Sequence, residues 1–446
     1  MQKVNVNQWV DQAEFNKFHG LILFWCAAVI IFDGYDLAVA GIALPSIMQE
    51  MGVDSTKAGF MVSSALVGMM FGNILFGALA DKIGRKAVIA ICIFIFSVFT
   101  AAAGLMKEPV SFSAMRFLAG VGIGGVMPCV IAQMSEYAPL KIRSTLVTMM
   151  FSGYSVGGML AALLGKGLIV SYGWQGVFFA AAFPIVLIPF MWMQMPESLA
   201  FLAKKGRHDE MRKILQKLNP NTSLPSDSEL VFNVTGGKSA NSAGSAVSQI
   251  FADGRTFSTF MFWTTCFMCL FMVYALSSWL TKLMASAGYS LGSALTFVLV
   301  LNIGAMIGAI SGGWLADRFN IKYVLIVMYI LAALSITALG YPIPTAVLFL
   351  AVAVAGGTTI GAQIVTCAYC SQYYPLSCRS TAVGLMLGVG RAGAILAPIV
   401  IGVIVGMNLP LEQNFLAIAF PALIAAISIG LVSQKYSNLT LERVAA

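Results

Sequence analysis

Asp33 and Asp36 stand three residues apart inside the apolar stretch 21–44, in the run Phe32-Asp33-Gly34-Tyr35-Asp36-Leu37. That stretch is long enough to cross a bilayer as a helix, where one central carboxylate costs about 2.5–3.5 kcal/mol on insertion scales. A spacing of three puts both carboxylates on one helix face, within reach of the same ligand, proton or cationic partner. Partly desolvated and side by side, such a pair is suited to taking up and releasing a proton near neutral pH. Neither histidine competes for this role, because His19 lies at the edge of the first apolar span and His208 in a loop. Asp81, Asp317, Glu136 and Glu197 fall at span ends. By elimination Asp33 and Asp36 are the proton sites, one carrying the proton and the other orienting it or pairing with an arginine. The alternative is a structural ion pair that fastens the first span to its neighbour. An anion in the same cavity would need a cation, and Arg116 and Arg391 are the candidates, the guanidinium fork being matched to a carboxylate. Arg391 lies mid-span in a Gly-rich run, Val389-Gly390-Arg391-Ala392-Gly393, which leaves room for a ligand. An interhelical ion pair with Asp33 or Asp36 is its other reading.

The elements that hold these residues follow from composition. The 446 residues are 59% hydrophobic and only 10% charged, against about 25% charged in a soluble domain. The chain is therefore read as a polytopic, all-α membrane protein. Apolar runs broken by turn signals give twelve spans at 20–44, 57–79, 87–106, 111–137, 145–171, 174–195, 257–285, 291–315, 321–340, 343–373, 380–406 and 411–433. The polar start of the chain, with Asp11 and Glu14, lacks the basic beginning and short apolar core of a cleavable signal. With both ends inside, 20 of the 26 Lys and Arg fall on the cytoplasmic side. The net charge of +8 thus reports topology by the positive-inside rule rather than a nucleic-acid partner. The pairs Cys266/Cys269 and Cys367/Cys370 have a metal-like spacing but sit in apolar spans without a nearby histidine, and are read as packing residues. No metal and no cofactor is expected.

Three units follow: a first six-span bundle over 1–195, a cytoplasmic linker over 196–256, and a second six-span bundle over 257–446. The linker opens with an amphipathic stretch, 197–218, suited to the membrane surface, and continues as a Ser/Gly/Asn-rich segment. An internal repeat supports the division. Gly77-Ala-Leu-Ala-Asp81-Lys82 recurs as Gly313-Trp-Leu-Ala-Asp317-Arg318, and Tyr137-Ala-Pro139-Leu140-Lys-Ile-Arg143 as Tyr373-Tyr-Pro375-Leu376-Ser-Cys-Arg379, both at an offset of 236 residues. Gly68, Gly72 and Gly120 meet Gly304, Gly308 and Gly356 at the same offset. Parallel repeats of this kind place a substrate site at midplane between two halves. Asp33 and Asp36 have Cys269 and Met272 as counterparts, so the carboxylates belong to the first half alone.

Gly77–Lys86 resembles the loop signature of the major facilitator superfamily, and Arg116-Phe-Leu-Ala-Gly120-Val-Gly122-Ile-Gly124 resembles its fourth-span Arg/Gly motif. Pro196-Glu197-Ser198 is similar to a motif of its sugar-porter-like branches. Asp33-Gly34-Tyr35-Asp36 together with Arg391 resembles the aromatic acid:proton symporter family, and within it the benzoate-type transporters. The second loop copy departs from the signature, with Asn320 and Ile321 in place of Gly-Arg. The resemblance implies the twelve-helix major facilitator fold and proton-coupled import of a small aromatic carboxylate through a bacterial inner membrane; the chain is expected to work as a monomer and, without a nucleotide loop, nucleophile motif or metal cluster in its sequence, not as an enzyme. In the family the fourth-span arginine has been linked to proton movement, and Arg116 matches it. An aromatic ring would need apolar and aromatic walls with a few polar groups; Tyr35, Gln133, Tyr154, Asn302, Gln363 and Tyr369 are the candidates, each with interhelical hydrogen bonding as an equal alternative. Asp81, Arg85 and Arg143 in one half and Asp317, Arg318 and Arg379 in the other are expected to form a cytoplasmic gate. Alternative readings keep the fold and carry muconate or a shikimate-like acid, or make the chain a transporter-like sensor.

Overall fold

The computed structural model describes residues 3–220, 229–231, 248–252, 254–374 and 379–434. Twelve helices among them are long and apolar enough to cross a membrane. Spans one to six are Lys17–Met51, Ser55–Ile83, Arg85–Ala103, Pro109–Tyr137, Arg143–Tyr172 and the broken helix Gln175–Gln194. Spans seven to twelve are Thr256–Ser286, Leu291–Arg318, Ile321–Ala338, Thr345–Tyr373, Arg379–Gly406 and Leu411–Leu431. Span one differs most from the sequence expectation. It starts at an N-cap formed by Asn16 with a reciprocal bond to His19, then runs through Pro45 to end at Met51. Burial of Ile47 and Met48 carries the helix past the proline, and Gly52, at φ 60°, closes it in the left-handed conformation.

The repeat is visible in the packing. Gly68 and Gly72 of span two lie against the backbone of Phe117 and Val121 in span four, and Gly304 and Gly308 of span eight lie against Ala353 and Gly357 in span ten. Each second-half contact is displaced from its first-half copy by the same 236 residues. Gly157 on Ile31 and Gly393 on Phe267 form a further matched pair, between spans one and five and between spans seven and eleven. Small residues let helix backbones meet where no hydrophobic effect drives association, so matching glycines build matching halves.

With twelve spans both chain ends lie on one side, the terminal side. Gly41 against Ser277, Gly59 against Pro398, Gly402 against Ser55, and the Ser63 hydroxyl donating to Ile395 O at 2.7 Å join the halves on the opposite, distal side. On span eleven, Gly384 and Gly388 continue the helical stripe of Arg391, Ile395, Pro398 and Gly402 toward the terminal side. A side chain added at either glycine would meet nothing within 4 Å. The halves are thus closed distally and parted by a cleft that opens to the terminal side, with Arg391 where seam gives way to cleft.

The amphipathic stretch does not present its apolar face to a membrane. It forms helices Leu199–Lys204 and His208–Leu218, whose Leu199, Leu202, Met211, Leu215 and Leu218 are fully buried against the first half and the chain start. Trp9 Nε1 donates to Leu215 O, Asn16 Nδ2 to Leu218 O, and strand Lys3–Asn5 pairs in parallel with Glu229–Val231. The protein itself covers the face that sequence reading assigned to lipid. Most of the Ser/Gly/Asn-rich segment lies outside the described residues.

Candidate functional site

Asp36 and Arg116 pair inside the first half, leaving Asp36 Oδ2 and Arg116 Nε without a hydrogen-bond partner among the described residues. Arg116 Nη1 donates to Asp36 Oδ1 at 3.1 Å and to Thr100 Oγ1 at 3.0 Å, while Nη2 donates to the Asp36 carbonyl at 3.1 Å. The guanidinium lies over the Phe178 ring, 5.9 Å from its centroid. Both side chains are 1% exposed. A buried pair of this kind holds charge in fixed places and is strongly destabilised by loss of one partner. It fastens span one to spans three and four, as the structural-pair alternative has it for this carboxylate.

Asp33 is placed differently. It is wholly buried, yet neither carboxylate oxygen has a hydrogen-bond partner among the described residues. Its charged neighbours are Asp36 on the same helix face and Arg391 from the second half. The hydroxyl of Tyr154 approaches it without closing a hydrogen bond and is itself buried and unpartnered among the described residues. Gly34 explains the approach: it lies directly on the backbone of Tyr154, and Gly157 lies on Ile31 and Tyr35 one turn away. The glycine between the two acids therefore presses span one onto span five and brings Tyr154 to Asp33.

The same device positions Arg391. Gly390 packs on Cys266 and Leu270, and Gly393 on the backbone of Phe267, so span eleven is pressed onto span seven. Phe267, Leu270 and Tyr274 share one helical face by their spacing. Tyr274 accordingly meets Arg391, whose Nη1 donates to the tyrosine hydroxyl at 3.4 Å. Both residues are half-buried, at the head of the cleft. Tyr274 is the neighbour of Arg391 that sequence reading did not single out. Its spacing from Phe267 and Leu270 carries the information, but only once the glycines of span eleven are known to face them.

The remaining candidates are distributed as follows. Tyr35 turns away from the cleft and donates to Val177 O at 2.7 Å, and Gln133 donates to Pro196 O at 2.8 Å, so both hold the first half together. Asn302 donates to Val298 O and packs against Gly158 at the seam of spans five and eight. Tyr369 stacks edge-on against Phe262 at 5.1 Å; Phe262 is twelve residues below Tyr274 on span seven, about 18 Å along the helix axis. Gln363 is half-buried on span ten and makes no hydrogen bond among the described residues. Of the six, the structure brings only Tyr154 to the acid and arginine.

On the terminal side the described gate residues make contacts within each half. Arg85 pairs with Glu136, which also accepts from the Ser198 hydroxyl at 2.9 Å and from Ala200 N at 2.6 Å. Glu197 accepts from Lys86 N at 3.2 Å and sits where a side chain at Gly84, φ 98°, would stand. Pro196-Glu197-Ser198 is thus docked onto the loop between spans two and three. Arg143 pairs with Asp11 of the chain start and donates to Ala138 O, and Arg318 lies 4.2 Å from the Trp314 ring centroid. The side chains of Asp81, Asp317 and Arg379 lie outside the described residues.

Comparison with known proteins bears on this arrangement. The family model of the Major Facilitator Superfamily matches residues 26–363 and 303–440. The chain is 45% identical over 439 residues to a benzoate transport protein of Acinetobacter baylyi, covering 97% of this chain and 94% of that protein. It is 32% identical over 439 residues to the 4-hydroxybenzoate transporter PcaK of Pseudomonas putida, covering 97% of each. Among solved structures, a bacterial homologue of the lysosomal transporter Spinster, inward-facing and occupied, superposes with a TM-score of 0.73 at 17% identity over 96% of this chain and 99% of that one. The xylose transporter XylE from E. coli, partially occluded and inward-open, gives 0.71 at 17% identity over 94% of this chain and 100% of that one.

Proposed function

Since the chain belongs to the Major Facilitator Superfamily and is a multi-pass membrane transporter of its aromatic-acid branch rather than an enzyme, we propose that it is a proton-coupled symporter. Its cargo is a small aromatic carboxylate of the benzoate type, imported by alternating access through a bacterial inner membrane with both termini cytoplasmic and the terminal side facing the cell interior. The 45% identity to a benzoate transport protein, against 32% to a 4-hydroxybenzoate transporter, supports the choice of ring. The observation that carries the mechanism is the buried Asp33, without a hydrogen-bond partner among the described residues, facing Arg391 across the two halves.

Arg391 binds the carboxylate of the substrate, and Asp33 carries the proton. Counting charge at this site gives the coupling. Empty, Asp33 and Arg391 cancel. Loaded with one anion and one proton, the site is again neutral, because the substrate replaces Asp33 as the counter-ion of Arg391 while Asp33 takes up the proton. An anion without a proton leaves one net negative charge, and a proton without an anion one net positive charge. Either is costly where water is excluded, so only the empty and the doubly loaded sites pass through the closed intermediate. The Asp36–Arg116 pair stays neutral throughout and serves as a fixed anchor.

The test is uptake of labelled benzoate into proteoliposomes with and without an imposed pH gradient, with 4-hydroxybenzoate and muconate as competitors. Gradient-driven accumulation blocked best by unlabelled benzoate is expected. Absence of gradient-driven uptake would overturn the symport reading, and stronger competition by muconate would overturn the substrate class.

A further inference from the structure

Arg391 does not stand free at the head of the cleft. Its Nη1 donates to the hydroxyl of Tyr274 at 3.4 Å, and Tyr274 is held at that height by the packing of Gly390 and Gly393 on the turns of span seven below it. A tyrosine hydroxyl offers one hydrogen to donate besides its lone pairs. With a lone pair committed to Arg391, the Tyr274 O–H has no described acceptor. The Tyr154 hydroxyl, from the first half and unpartnered among the described residues, lies in the same cluster. Two phenol donors, one from each half, therefore flank a guanidinium whose other N–H groups have no hydrogen-bond partner among the described residues. The repeat supplies no second copy of this set, since Tyr274, Arg391 and Tyr154 correspond to Ala38, Ser155 and Gly390.

We propose that Tyr274 is a positioning residue for substrate recognition: by holding Nη1 it fixes the guanidinium plane of Arg391, so that the remaining N–H groups of the arginine meet the bound carboxylate as a fork. The inference rests on the reading of Arg391 as the carboxylate clamp. It predicts a specific division of effects. Tyr274 acts on how tightly the anion is held through Arg391, not on the movement of the halves, whose described contacts lie elsewhere on the distal seam.

The experiment measures equilibrium binding of labelled benzoate and benzoate counterflow for the full-length protein and for Tyr274→Phe, Arg391→Lys and the double variant. Tyr274→Phe should fold with an unchanged thermal midpoint, bind benzoate about tenfold more weakly, as expected for a lost hydrogen bond to a charged group, and keep its maximal counterflow rate. In the Arg391→Lys background the same substitution should cost little, because the plane that Tyr274 fixes is gone. Wild-type affinity in Tyr274→Phe would overturn the inference, as would an equal loss in both backgrounds, which marks a purely structural role. If Arg391→Lys binds too weakly to measure, the split within Tyr274→Phe decides, because a structural defect lowers affinity and maximal rate together. Failure of the wild-type protein to bind benzoate at all would overturn the transport reading itself and this inference with it.

Discussion

The α-carbon of Gly34 lies against the backbone of Tyr154, so that a methyl group at position 34 would overlap the Tyr154 carbonyl. This glycine, next to Asp33, is thus what lets span one touch span five, and the touch is what delivers the Tyr154 hydroxyl to Asp33. Gly34→Ala should push the helices apart at a cost of about 1–3 kcal/mol, the usual range for overpacking, and abolish uptake. Gly167→Ala, on span five where an added methyl meets nothing within 4 Å, should leave uptake and thermal midpoint unchanged. Equal behaviour of the two variants would refute the packing account.

Asp36 and Arg116 predict a stability phenotype. Removing one partner of this buried pair leaves the other uncompensated, which costs about 3–5 kcal/mol. Asp36→Asn and Arg116→Leu should each lower the thermal midpoint in detergent. The double variant should be more stable than the sum of the two losses implies, since no charge is then stranded. Asp33→Asn removes no described hydrogen bond and should lower the midpoint less than either single variant of the pair.

Asp33 predicts a transport phenotype instead. In Asp33→Asn the benzoate-loaded site is still neutral, but the empty site carries the uncancelled charge of Arg391. Counterflow, which needs only the loaded carrier to cross, should persist and become independent of pH. Accumulation driven by a pH gradient, which needs the empty carrier to return, should fall to background. Accumulation at the wild-type level in this variant would remove Asp33 as the proton carrier.

The span pattern, the two halves and the place of the acid pair within span one were legible in the sequence, because hydropathy and a fixed repeat offset survive without knowledge of contacts. The division of labour within the pair was not. Both acids share a helix face, and only the packing shows that Asp36 is engaged by Arg116 while Asp33 is left to Arg391. Tyr35 and Gln133 look like cavity residues until their acceptors, the carbonyls of Val177 and Pro196, are seen. In a chain where 11% of residues are aromatic, Tyr274 gives no signal of its own. The amphipathic helix at 208–218 misleads for a related reason: periodicity reports an apolar face but not what covers it.

The distal seam offers a test of alternating access. Gly59 lies on the backbone of Pro398, and Ser63, one turn on, donates to Ile395 O. A β-branched side chain at position 59 cannot be accommodated while the halves are closed on this side, so Gly59→Val should favour the state with the distal side open. Ser63→Cys places a thiol in the seam, where a membrane-impermeant maleimide reaches it only when the halves part. Labelling of that cysteine, read against the same protein lacking it, should rise when Gly59→Val is added, and benzoate counterflow should fall because the closed state is harder to reach. Unchanged labelling together with normal counterflow would show that the seam between spans two and eleven is not the distal gate.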